Sequence, residues 1–92
     1  MNTPINFQKT VTAAGTAEAI ISENQFGILT IKALAGNGGN IYVGDSTVDA
    51  ATGYVLAAEE AVSLILDGLN KVYIDSDVNG EGVCGFGTLV TN

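Results

Sequence analysis

The residues of this chain best equipped for chemistry lie together in "DSDVNGEG", Asp75 to Gly82. Asp75, Asp77 and Asn79 alternate, Gly80 follows, and Glu81 adds a further carboxylate. Oxygen donors at positions 1, 3 and 5 with glycine at 6 are how a twelve-residue EF-hand calcium loop opens. Position 12 falls on Phe86, which cannot supply the bidentate carboxylate that closes the coordination shell. The flanks "KVYI" and "GVCGFGTLV" read as strands rather than helices, so an EF-hand is excluded. Two readings remain. One is a looser β-loop calcium site built from Asp75, Asp77, Asn79 and Glu81, with Asp45 and Asp49 in an echoing loop. The other is a solvated turn, in which Asp, Asn and Gly serve the backbone. Turn chemistry alone accounts for these residue types, so no metal ligand is assigned.

Little else in the sequence is reactive. There is no histidine, the commonest general base, so Ser22, Ser46, Ser63 and Ser76 lack the usual partner of a nucleophile. Glu59 and Glu60 are adjacent and would point to opposite faces of a strand, which rules out an acid–base pair. They read as a polar turn. "GNGGN", Gly36 to Asn40, lacks the lysine and hydroxyl residue of a phosphate loop. Cys84 is the only cysteine, so no internal disulfide forms, and among glycines it reads as a small buried apolar side chain. Tyr42, Tyr54 and Tyr73 could form a stacking platform, but cross-strand packing is the commoner use. No catalytic residue and no cofactor is expected.

The elements that carry these residues are strands. Glycines punctuate the chain and β-branched residues fill the intervals. "ILTIKALA", Ile28 to Ala35, alternates with Leu29, Ile31, Ala33 and Ala35 on one face. The pattern predicts a hairpin through Gly36 to Gly39 into "NIYVG", and a second from "AVSLIL" through Asp67-Gly68 into "NKVYID". It predicts a third pairing of "KVYID" with "VCGFGTLVT" across the acidic loop, and strands at "FQKTVTA", "AEAIIS" and "YVLA". A helix over Ala57 to Leu66 competes, but the segment is short and ends in Asp-Gly. "IYVGDSTV" from Ile41 and "VYIDSDV" from Val72 echo one another. The expected fold is all-β: an antiparallel β-sandwich or barrel-like jelly roll of about 7–8 short strands joined by Gly-rich hairpins. Residues 1–11 form an N-terminal arm or first strand, and 12–92 a single domain.

Composition narrows the partners. The formal net charge is −7, from three lysines and ten carboxylates. Such a surface repels phosphate backbones and anionic membranes, so neither nucleic acid nor membrane is expected as a partner. No run approaches the ~18–20 apolar residues of a membrane span. The start "MNTPINFQKT" does not read as a signal peptide, and the lone cysteine fits synthesis in a reducing cytosol. Charged residues make up only 14% of the chain against about 25% in ordinary domains, while 47% are hydrophobic. A domain of this size cannot hide that much apolar surface, so another chain is expected to cover part of it. A surface rich in Gly, Ala, Ser and Thr is the alternative.

"TVTAAGTAEAI", then "ILTIKALAGNGGNIYVGDSTVDAATGYVLAAEEAVSLIL", then "KVYIDSDVNGEGV" resembles a group of small virion proteins of tailed bacteriophages. The matching parts are Thr12 to Thr16, Asn37 to Val48, Gly53 to Glu60, and Val72 to Val83. "AAEE" at Ala57 to Glu60 departs from the pattern, standing where a Pro-Gly-Glu turn is expected. The resemblance implies a β-sandwich on the phage capsid surface, made in the host cytoplasm and acting as a decoration or cement protein. It implies the major capsid protein as partner, and self-association into dimers or trimers. A terminal arm would suit such a role, which makes Pro4, Ile5 and Phe7 the interface candidates. A head- or tail-fibre-like module recognising a host surface glycan is the alternative.

Overall fold

The structure is a computed structural model that describes residues 2–90. Eight strands form in chain order: β1 (Asn2–Thr10), β2 (Glu18–Ala19), β3 (Gly27–Ala33), β4 (Ile41–Gly44), β5 (Tyr54–Leu56), β6 (Ala61–Leu66), β7 (Tyr73–Ser76) and β8 (Gly82–Val90). A single 3-10 turn, Leu69–Lys71, precedes β7. No α-helix replaces β6; its inward residues Val62, Leu64 and Leu66 alternate with exposed Ala61, Ser63 and Ile65. β3 alternates without exception, Leu29, Ile31 and Ala33 being buried and Ile28, Thr30 and Lys32 exposed. This dyad period is what a strand with one buried face requires.

The strands make two antiparallel four-stranded sheets, ordered β1-β8-β3-β6 in the first and β2-β7-β4-β5 in the second. β1 pairs with β8, β2 with β7, β3 with β6 and β4 with β5. The chain is thus one long antiparallel ribbon, folded over so that β3 meets β8 and β4 meets β7. That is the jelly-roll form of the sandwich. The echoing segments become neighbours: Ile41 opposes Ser76 and Val43 opposes Ile74.

The three expected hairpins do not form. Gly36 to Gly39, Asp67-Gly68 and the acidic loop each join strands of different sheets. Gly68 is extended, at φ −151°, rather than in a tight-turn conformation, and Leu69 just after it is fully buried. Glycine, asparagine and aspartate allow the chain to turn, but pairing is set by where the apolar faces meet. Among the described residues, the only connection between consecutive strands of one sheet is β4–β5, through residues 45–53. The segment "AEAIIS" contributes just Glu18–Ala19 as strand. At the departure from the Pro-Gly-Glu pattern the chain still turns, with Glu59 at φ 71°, in the left-handed region that favours glycine.

The core lies between the sheets. Leu29, Ile31, Ala33, Val83 and Leu89 come from the first; Ile41, Val43, Leu56 and Ile74 come from the second. Val11, Ile20, Leu69 and Val72, all outside the strands, plug its ends. Each fully buried aliphatic side chain is worth about 1.5–3 kcal/mol. The accessible surface is 4927 Å², close to the ~5,000 Å² of a compact folded chain of this mass. The excess of apolar residues therefore does not loosen the interior; it is turned outward.

Candidate functional site

The end of β7 and the β7–β8 loop together gather the four residues singled out in the sequence, and each is engaged by the protein itself. Asp75, only 3% exposed, accepts through Oδ1 from the N–H groups of Gly15 and Ser76, both at 2.8 Å. Asp77 accepts from Asn40 N–H at 2.9 Å and from the Tyr42 hydroxyl at 2.8 Å. Asn79 accepts from Ala14 N–H at 2.7 Å. Glu81 accepts from Gly38 and Gly39 N–H, one with each carboxylate oxygen. The loop ties down the β1–β2 and β3–β4 connections, whose backbone donors have no strand to pair with. Two glycines make this possible. Gly15 sits at φ +92°, and a Cβ on Gly39 would lie 2.7 Å from that of Asp77. Among the described residues, no group of three acidic or thiol side chains is arranged to hold a metal ion.

The electrostatics follow the bonds. Asn40 N–H, and then the Tyr42 hydroxyl, hold the Asp77 carboxyl below the usual range. The same bond to the Asp77 carboxylate raises the Tyr42 phenol. Asp45 is lowered by the Thr47 hydroxyl and backbone N–H, and Asp49 accepts from Ala51 and Thr52, so the echoing loop is also closed on itself. Glu18 is lowered by its bond to Lys9, 2.8 Å away, which links the β1 and β2 edges of the sandwich.

The outer face of the first sheet is built on another principle. None of the ten carboxylates lies on β1, β3, β6 or β8. The outward positions carry Ile28, Thr30 and Lys32 on β3, Ser63 and Ile65 on β6, and Phe86 and Thr88 on β8. Ile28 is 46% exposed, Ile65 66% and Phe86 67%. Ile28 and Ile65 are direct cross-strand partners, and Phe86 lies diagonally across β8, opposite Thr30. Among the described residues, Lys32 is the one charged side chain on this face. The corresponding face of the second sheet is roofed by loops: Gly15 bonds Asp75, Gly53 packs on Tyr42, and Val48 is buried against Gly44.

The interface candidates of the N-terminal stretch divide. Ile5 and Phe7 pack inward against the core, because β1 pairs with β8 along its whole length; Pro4 is exposed. Cys84, expected to be buried, is half-buried on the outer side of β8, opposite Gln8 and Lys32. Of the tyrosines, Tyr42 is buried and Tyr54 is 61% exposed. Ile28, Ile65 and Phe86 escaped the sequence reading because their segments also hold the core residues. The available signal was the lack of acid in those four segments. Neither a family model nor a curated protein matches this sequence.

Proposed function

We propose that this chain is a structural virion protein, a decoration or cement protein of a tailed-phage head that docks onto the major capsid protein through the outer face of its first sheet. The carrying observation is the acid-free face with Ile28, Ile65 and Phe86 exposed on a chain of net charge −7. Four strands spaced by about 4.8 Å and up to about 30 Å long give a face of roughly 500 Å². That is the larger part of one partner's share, about 800 Å², in a standard interface. Ile28, Ile65 and Phe86 stand on it among uncharged polar residues such as Asn6, Gln8, Thr30 and Ser63, and exposed large apolar side chains grouped within a polar surround mark protein contact sites. The jelly roll itself recurs in viral capsid domains, which supports the reading by analogy of fold. The resemblance to small phage virion proteins points the same way.

Proteomic analysis of purified particles from the phage that carries this gene tests the proposal. The chain should be present in a fixed ratio to the major capsid protein, and its absence would overturn the reading. Exposed Tyr54 beside Asp45 favours a second reading, a module that stacks on a host glycan. A glycan array that loses signal on Tyr54→Ala would support it.

A further inference from the structure

The two flanks of the sandwich differ. Where β1 and β2 meet, the gap is closed by Ile5, Phe7 and the Lys9–Glu18 pair. Where β6 faces β4 and β5 it is open. A cleft of about 430 Å³ runs there, lined by Val43, Tyr54, Val62, Leu64, Leu66 and Val72. β5 has only three residues, so it cannot cover the six of β6. The inward side chains of β6 are consequently only half-buried, although they point at the core. Among the described residues, β6 is also the last strand of its sheet, bonded to β3 on one side and to no strand on the other.

These features together specify an occupant. An unpaired strand edge offers N–H and C=O groups at a fixed spacing. A half-covered apolar stripe with a period of two asks for side chains at alternate positions of an extended segment. The surroundings set its charge. Glu59 and Glu60 precede β6, Asp67 follows it, and Asp45 lines the opposite wall. Of the two nearby cations, Lys71 lines the cleft but is held by Asp67 at 2.9 Å, and Lys32, paired opposite Ala61, stands on the outer face of the sheet, so carboxylates outnumber lysines around the cleft. We propose that the cleft takes an extended segment of a partner protein as a fifth strand beside β6, with apolar residues at alternate positions and basic residues at its ends. This surface is separate from the outer face used for docking above, and it can be tested without a capsid.

The probe is a synthetic peptide, Lys-Lys-Thr-Val-Thr-Ile-Thr-Val-Lys-Lys, titrated into the intact chain with amide NMR as readout. Its binding should shift the amides of Ala61–Leu66 and protect the alternate ones that point away from β3. It should bind about tenfold tighter than a shuffled peptide with its apolar residues adjacent, and about tenfold tighter than a version ending in glutamates. N-methylation of alternate amides on the pairing side should abolish binding. Leu64→Lys should do the same in a chain with unchanged circular dichroism. If that variant does not fold, Val62→Thr should weaken binding instead. Equal binding of the shuffled peptide, shifts confined to Ile28, Ile65 and Phe86, or no shifts at millimolar peptide would each overturn the proposal. Because the peptide test involves no phage component, its failure leaves the virion reading intact, and failure of that reading leaves the cleft result unchanged.

Discussion

The acidic β7–β8 loop and the outer face of the first sheet are opposites in how they use polarity. In the loop and at the end of β7 that leads into it, Asp75, Asp77, Asn79 and Glu81 each accept from a backbone N–H of another loop or of the next residue. On the sheet face, the backbone is already paired within the ladder, and Ile28, Ile65 and Phe86 make no use of their exposure inside the chain. A loop dense in carboxylates, which looks reactive, is spent on holding the fold. A face with no carboxylate, which looks inert, is the part that the chain's own contacts leave uncovered. Polar side chains signal function only when the protein's own backbone does not claim them.

Substitutions can break that contrast. The largest effect is expected for Asp75→Ala, which strips a buried acceptor from Gly15 and Ser76 N–H. A loss of about 2–3 kcal/mol should follow, read by urea denaturation. An unchanged midpoint would return the loop to the pool of functional sites. Glu81→Ala removes the acceptor of Gly38 and Gly39 N–H at a less buried position, and about 1–2 kcal/mol is expected by the same measurement. Calcium at millimolar concentration should leave the melting temperature of the native chain unchanged, since its donors are already engaged.

Acid sharpens the contrast next. Glu18, Asp45, Asp67 and Asp77 all have carboxyls held below their ordinary values in the fold. Their stabilising contribution is complete above the unfolded values near 3.9–4.3. It is lost as pH falls through the lower folded values. Tyr42 is raised, so its contribution holds below about pH 10 and is lost as pH climbs through the folded value. Melting temperature should be level from about pH 5 to 9 and fall on both sides. Tyr42→Phe should remove most of the alkaline decline.

The smallest effect on stability belongs to the sheet face. Ile65→Thr and Phe86→Thr keep strand propensity at positions 66% and 67% exposed, so unfolding should move by less than about 0.5 kcal/mol. Their effect should appear instead as lost co-sedimentation with phage heads. Retained sedimentation of the double variant would sink the docking proposal.

Much of the fold was legible in residues such as Leu29, Ile31 and Ala33, whose alternation states a half-buried strand, and in the glycines of the connections, such as Gly36 to Gly39 between β3 and β4. The all-β class follows from that local pattern. Partners of the strands did not follow. Asp67-Gly68 is a strong hairpin signal, yet the chain crosses to the other sheet there and buries Leu69. The acidic segment was half legible: Asp75 to Glu81 were singled out for their oxygens, but the N–H groups that occupy them come from residues up to 65 positions away.

Local alternation and turn chemistry determined that this chain makes short strands, because the period of two and the freedom of glycine act within a few residues. Composition determined that some apolar surface would face outward. The tertiary structure alone decided which strands pair, which carboxylates are spent, and that Ile28, Ile65 and Phe86 share one acid-free face. Those outcomes depend on contacts between distant segments, and such contacts arise only when the ribbon folds over and its two sheets close on a common core.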